Sequence, residues 1–215
     1  FTGPLDPAEL DAVEAMCAER AIPVQLELSS LADASIAPML TDRAYRLVGF
    51  ENVLGMALPA DRAPRPAPGV AVEICADDRA ADWLDAVVTG FASPDAEGVP
   101  SHESFPRDII EAAIADMAGA AGLSRYIATL DGVLAGGASM RTCDGVAHLC
   151  GAATLPASRR RGVQTALLHQ RLADAADAGC DLAVVTTQPG SPSQRNAQAR
   201  GFEPLYVRAV LVRTP

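Results

Sequence analysis

The spacing of apolar residues changes period along the chain, and each change marks a structural element. Leu10, Val13, Met16 and Cys17 recur at helical spacing behind Asp6-Pro7-Ala8-Glu9. There an acidic N-cap, Pro at the first helical position and Glu in the first turn start a helix that runs to about Arg20. Residues 24–28 alternate as a strand. Residues 32–40 read as a helix with Ile36 and Met39 inward, and residues 47–58 as a further strand. Pro64, Pro66 and Pro68 then alternate with small or charged residues over 61–69, a pattern that excludes helix and central strand and predicts an extended linker.

Beyond that segment, residues 70–74 read as a strand and 82–91 as a helix with Trp83, Leu84, Val87, Val88 and Phe91 inward. A loop over 92–104 precedes a helix opened by Phe105-Pro106 and carrying Ile109, Ile110, Ala113, Ile114 and Met117. Residues 126–130 and 133–140 form a hairpin around Asp131-Gly132, and Asp144-Gly145 turns the chain into a strand over 146–155. A helix over 161–178, a strand over 182–187, a short helix over 193–199 and a strand over 205–212 complete a mixed α/β pattern: antiparallel hairpins first, a βαβ crossover afterwards.

The order helix, strand, short helix, strand occurs twice, at residues 12–54 and 173–211. Ala21 then falls on Gly179, Tyr45 on Phe202, and Val53-Leu54 on Val210-Leu211. Two readings stay open, an internal repeat and a coincidence between ordinary α/β stretches. The repeat predicts a half-domain over 1–60, the linker over 61–69 and a complete domain over 70–215.

Composition narrows the function. The 215 residues carry net charge −10, which argues against nucleic acid or an anionic membrane as partner, since phosphate contacts need a wide basic face. No apolar run approaches the ~18 residues of a membrane span. Phe1-Thr2-Gly3-Pro4 has neither an initiator Met nor a signal-peptide pattern and reads as a trimmed N-terminus. The five cysteines, odd in number and without a C-x-x-C pair, suit reduced thiols in a cytoplasm better than a disulfide frame or a metal site.

Against this acidic background, Pro156 to Leu168 (PASRRRGVQTALL) stands out. It sets Arg159, Arg160, Arg161 and Gly162 at the first turn of a helix, where backbone N–H groups and the positive dipole end favour an anion. Gly162 admits close approach of a bulky group, and the guanidinium groups add charge. The motif predicts a phosphate-bearing ligand. A solvated basic helix start is the alternative, and at most one or two of three adjacent arginines can face a single ligand.

Arg159-x-x-Gly162-x-Gln164 between a strand and a long helix resembles the signature of the GNAT family, the acyl-CoA-dependent N-acyltransferases. The stretch 188–202 (QPGSPSQRNAQARGF), a polar turn into a short helix ending in Gly-Phe, resembles the family's second crossover. The resemblance covers residues 70–212 and, as a degenerate half-copy, the N-terminal segment. It implies a mixed central sheet whose two parallel strands splay apart, with the pyrophosphate of acetyl-CoA on main-chain amides of Arg159, Arg160, Arg161, Gly162, Val163, Gln164 and Thr165. The pantetheine arm would lie along Ala153, Thr154 and Leu155. Ser191, Ser193 and Asn196 would stand near the same ligand, the two serines also fitting helix N-caps. Gln164 departs from the family's Gly or Ala, so its side chain must turn away or bond the phosphate.

The implied reaction moves an acetyl or other short acyl group to a primary amine by direct attack. The family's usual acid, a Tyr four residues before the Gly of Gly-Phe, falls on Ala197; Ser193, Asn196 or Tyr206 remains to bond the leaving thiolate, which can also leave unassisted. Its carboxylate base, about six residues before the ligand contact, falls on His148, whose imidazole titrates near working pH. The alternative for His148 is a strand histidine that satisfies a carbonyl. Cys150 shares its face and reads as a structural thiol rather than a nucleophile. The acidic loop with Asp95, Glu97, His102 and Glu103 falls where the family builds its acceptor site and would suit a cationic small molecule. No metal is expected, and a homodimer is left open. Two other functions stay in view: a module that binds acyl-CoA without turnover, and an acyltransferase acting on a protein amine.

Overall fold

Local signals start and stop most of the elements. Asp6 accepts the Ala8 N–H at 2.9 Å and Pro7 opens helix α1 (Pro7–Glu19), as its cap sequence dictates. Strand β1 (Val24–Ser29), helix α2 (Ile36–Asp42) and strand β2 (Arg46–Ala57) follow. Helix α2 starts four residues later than the pattern suggests. Asp33 accepts both the Ser35 N–H and its hydroxyl, at 2.9 and 2.6 Å, and Ser29 accepts the Leu31 N–H, so short polar side chains hold a turn there. The computed structural model describes residues 3–58, 67–93 and 106–214. Most of the predicted linker and most of the loop over 92–104, with Asp95, Glu97, His102 and Glu103, lie outside the described residues.

The chain continues through β3 (Val70–Ile74), α3 (Ala80–Phe91), α4 (Arg107–Ala118), β4 (Leu123–Leu130), β5 (Val133–Cys143) and β6 (Val146–Thr154). Then come α5 (Val163–Asp177), β7 (Leu182–Thr187), α6 (Pro192–Gln198) and β8 (Glu203–Arg213). The described residues form two compact units. One comprises residues 3–54 and 187–214, the other 55–58, 67–93 and 106–186. These units cut the chain at other places than the division 1–60, 61–69 and 70–215 read from the repeat.

In the first unit the strand order is β1-β8-β2, with β1 antiparallel to β8 from Val24↔Arg213 to Ser29↔Arg208. Leu10, Cys17, Val24, Leu40, Tyr45 and Leu211 form its core. At the edge of that core Glu14 accepts from Arg213 at 2.5 Å, Arg43 at 3.0 Å and the Tyr45 hydroxyl at 3.1 Å. Burial alone would raise the Glu14 carboxyl, but the bonds from Arg213 and Tyr45 hold it below its ordinary value. Burial and the adjacent carboxylate push the Tyr45 phenol up to about 12.

The second unit carries the order β7-β6-β5-β4-β3. Neighbours are antiparallel except β6 and β7, which run parallel, so the sheet is mixed. A Cβ on Gly136 would meet Val163 of α5 and one on Gly137 would meet Val87 and Trp83 of α3. Successive residues of a strand face opposite sides, so α3 and α5 cover the two faces of this sheet. Cys75, Trp83, Val87, Val88, Ile114 and Ile127 form the core on the α3 face.

The two helix–strand–helix–strand runs end their helices alike. Ile22 N–H bonds the Cys17 carbonyl at 3.1 Å, and 158 positions on Cys180 N–H bonds that of Ala175 at 2.9 Å. Tyr45 N–H bonds the Leu40 carbonyl at 3.0 Å, and 157 positions on Phe202 N–H bonds that of Ala197 at 3.2 Å. The residue before each donor is left-handed: Ala21, Gly179, Ala44 and Gly201. Among the described residues no helix is long and apolar enough to cross a membrane, and no group of three or more His, Cys, Asp or Glu is placed to hold a metal ion. All five cysteines are free thiols.

Candidate functional site

Strand β6 is the backbone of the site. It pairs with β7 only over Val146–Leu149 against Leu182–Val185 and then runs on to Thr154, so the two parallel strands part after their fourth pair. Along its other edge the register with β5 shifts: Ser139 faces Cys150, but Gly137 faces Ala153. The extra residue makes a β-bulge, and Gly151 takes it up at φ 57°, a left-handed conformation that favours glycine. Beyond the bulge Ala153 lies against two glycines. A Cβ on Gly90 of α3 would stand 2.5 Å from the Ala153 Cβ, and one on Gly136 would stand 2.6 Å from its carbonyl oxygen. Thr154 ends the strand with its hydroxyl oxygen buried and without a hydrogen-bond partner.

After Leu155, whose N–H bonds the Ala135 carbonyl at 2.9 Å, a single 3₁₀ turn (Pro156–Ser158) leads into the arginines. Helix α5 begins at Val163, two residues later than the sequence suggests. Arg160 at φ 61° and Gly162 at φ 85° are left-handed and cannot continue a helix backwards. No side chain caps α5. Its ladder opens with Ala166 N–H on the Gly162 carbonyl at 2.9 Å, so Val163, Gln164 and Thr165 form the first turn, their N–H groups directed out of the N-terminus. Gly162 is tight as well as left-handed, since a Cβ there would stand 2.6 Å from that of Ala67.

The three arginines point apart. Arg159 donates from Nη2 to the Ser93 carbonyl just beyond α3, and Arg161 lies 3.4 Å from Asp131 in the β4–β5 turn with both side chains more than half exposed. Arg160 is exposed at the tip of the loop. His148 is exposed on β6, paired with Arg141 of β5 and Val184 of β7 ahead of the point where the strands part. Cys150 is partly buried, and burial pushes its thiol up while Arg171 and Arg141 pull it down, which leaves it protonated at neutral pH.

The second unit thus brings together His148, residues 153–155 and residues 159–165. Ser191, Ser193, Asn196 and Tyr206 belong to the first unit. Ser191 is the buried N-cap of α6 and accepts the Gln194 N–H at 3.1 Å, with Pro192 at the first helical position. Ser193 and Asn196 are exposed on α6, Ala197 beside them is buried, and Tyr206 is partly exposed on β8.

Two side-chain roles escaped the sequence reading, one of them on Trp83, which was read only as an inward core residue. Arg171 is 3% exposed, and its Nη1 donates to the carbonyls of Ser139 at 2.9 Å and Cys150 at 3.3 Å, its Nε to that of Leu167 at 3.1 Å. The indole N–H of Trp83 reaches the Ala138 carbonyl at 3.0 Å. The signal for Arg171 was its place in the buried i, i+4 row Val163, Leu167, Arg171, Ala175. The bulge was signalled by a glycine inside a strand.

The sequence profile of the acetyltransferase (GNAT) family matches residues 88–202, more than half of the chain. A GCN5-related N-acetyltransferase from Kribbella flavida has a similar structure at TM-score 0.71 and 23% identity, covering 99% of this chain and 77% of that one. A GCN5-related N-acetyltransferase from Sphaerobacter thermophilus gives 0.69 and 15%, over 95% and 66%. A tandem GNAT protein from the clavulanic acid biosynthesis pathway gives 0.67 and 14%, over 96% and 69%. At these identities the likeness is one of fold. No curated protein sequence matches the chain.

Proposed function

Because the chain belongs to the acetyltransferase (GNAT) family, we propose that it transfers an acetyl or other short acyl group from acyl-CoA to a primary amine. The observation that carries this reading is the parting of β6 from β7 after Leu149 beside the uncapped, glycine-led start of α5. The parted strand offers backbone to an amide-bearing arm, and the helix start offers oriented N–H groups to a diphosphate. The donor fits these residues: Thr154 keeps a buried hydroxyl without a partner, and Gly90 and Gly136 leave Ala153 no excess bulk around it.

On this reading Ala153, Thr154 and Leu155 line the donor's arm, and residues 159–165 hold its diphosphate by main-chain N–H groups, with guanidinium groups adding charge. The amine nitrogen attacks the thioester carbonyl carbon, a C–N bond forms, the C–S bond breaks, and sulfur leaves with the electron pair. His148 takes the ammonium proton, directly or through water. Ala197, which stands where the family's usual acid falls, cannot donate a proton, so the thiolate can leave unassisted. The acidic stretch with Asp95, Glu97 and Glu103 would suit a cationic small-molecule amine as acceptor. Residues 1–60 are a half-copy of the domain over 70–215, joined by 61–69; the matched helix ends support this, as does the similarity to a tandem GNAT protein.

Calorimetry with acetyl-CoA tests the donor, and release of free CoA thiol with a panel of polyamines, amino acids and aminoglycosides tests turnover. Absence of binding refutes the proposal. Binding without amine-dependent thiol would make the chain a donor-binding module, a reading that the apolar Ala197 favours.

A further inference from the structure

Strand β6 leaves the regular ladder at its bulge, and a bulge strips carbonyls of their ladder donors. Three carbonyls at or beside this one accept from side chains. Trp83, from the α3 face, donates its indole N–H to Ala138. Arg171, from the α5 face, donates through Nη1 to both Ser139 and Cys150, the pair at which the register breaks.

A fully buried guanidinium is costly unless its environment compensates the charge. Burial pushes Arg171 down to about 10, so it stays cationic at neutral pH. The groups that act to raise it, Cys150 and Tyr126, are themselves pushed up by burial and are neutral there. Carbonyl dipoles of Leu167, Ser139 and Cys150 are what the cation receives. Its helix position would pack equally well with Leu or Met if filling space were its only role, since Val163, Leu167 and Ala175 occupy the same row.

We propose that Arg171 and Trp83 are positioning residues that clamp the β6 bulge from its two faces and so fix the backbone of residues 151–154 where the acyl donor lies. Neither touches the reacting atoms. The clamp sets the course of β6 after it leaves β7, and the N–H and carbonyl groups of that stretch are already aimed before the donor arrives. The strand then loses little order on binding, which raises affinity through preorganisation. The donor half of this inference rests on the function proposed above; the clamp itself does not.

Arg171→Met, Arg171→Lys and Trp83→Phe test it with two readouts, taken well below the melting temperature of each full-length variant. Amide hydrogen exchange without ligand is measured on peptides covering residues 149–155, and acetyl-CoA affinity by calorimetry. Arg171→Met speeds exchange over 149–155 by about tenfold relative to peptides of α1, and weakens acetyl-CoA binding about tenfold or more. Arg171→Lys falls between this variant and the wild type, and Trp83→Phe repeats the pattern should Arg171→Met fail to fold. A residue that merely stabilised the fold would lower the melting temperature and leave the affinity of the folded fraction intact. Unchanged exchange over 149–155 overturns the clamp, and faster exchange with unchanged affinity overturns its role in donor binding. A wild type that binds no acetyl-CoA instead refutes the functional reading, and exchange alone then judges the clamp.

Discussion

Substituting Gly162 by Ala isolates the backbone contribution of the arginine loop, because it leaves every charge in place. At φ 85° an alanine carries the left-handed penalty, about 1–2 kcal/mol. Its Cβ would stand 2.6 Å from that of Ala67, well inside van der Waals contact, so one segment must move by close to an ångström. Overpacking of this kind costs about 1–3 kcal/mol. The stiffer unfolded chain returns about 0.4–1 kcal/mol. A net loss of about 1–5 kcal/mol follows, and for a chain of 215 residues that lowers the melting temperature by roughly 2–20 °C. The same shift tilts the first turn of α5 and misaims the N–H groups of Val163, Gln164 and Thr165, so acetyl-CoA affinity falls together with stability. Differential scanning calorimetry and titration calorimetry on the same preparation measure both. A variant that melts within a degree of the wild type and binds acetyl-CoA equally well would refute the argument that this glycine shapes the loop.

Other perturbations probe separate parts of the molecule. Arg161→Ala weakens acetyl-CoA binding by about 1.5–3 kcal/mol if its guanidinium exchanges Asp131 for phosphate, and Arg159→Ala does the same through phosphate or through the lost bond to Ser93; titration calorimetry reads both. His148→Ala lowers turnover by about 10²–10⁴-fold and removes the base's ionisation from the rate profile, and a profile that keeps that ionisation assigns the base elsewhere. Glu14 titrates below its ordinary 4.5 in the folded chain, so its contribution to stability is complete above about pH 4.5 and is lost as pH falls through the folded value. Glu14→Gln therefore melts lower than the wild type at pH 7, and the gap narrows in acid; a gap that stays constant from pH 7 to pH 3 would exclude the ionised carboxylate as its source.

What was legible in the chain was what the chain determines locally. Asp6-Pro7 and Ser191-Pro192 each cap and open a helix within four residues, so the start of α1 followed from the sequence and that of α6 to within one residue. The mixed order of hairpins and crossover was legible for the same reason, since Asp131-Gly132 and Asp144-Gly145 turn the strands where they stand. Helix α5 was misplaced by two residues because the left-handed state of Arg160 is set by the fold, not by arginine's own preference. Arg171 and the Trp83 indole were invisible for a deeper reason. Their partners Ser139 and Ala138 stand 32 and 55 positions away and come within reach only once the sheet and helices have packed. The opening between β6 and β7 was anticipated by family resemblance, but its position after Leu149 is a matter of register, which no composition or period reports.

The two helix–strand–helix–strand runs separate scaffold from chemistry. Their helix ends agree in hydrogen bond and in left-handed residue, and those ends deliver buried side chains: Leu40 and Tyr45 in one run, Ala197 and Phe202 in the other. Packing constrains such ends whatever the molecule does. The starts of the long helices are opposite in charge and in capping. Helix α1 opens on Asp6, whose carboxylate already bonds the Ala8 N–H and would repel a phosphate; α5 opens on a glycine with no side-chain cap behind three arginines. A capped acidic start stabilises its helix through the dipole, whereas an uncapped basic one forgoes that stabilisation and leaves the dipole to act on a ligand. On the proposed reading, this asymmetry favours the start of α5 over that of α1 as the place for the donor's diphosphate.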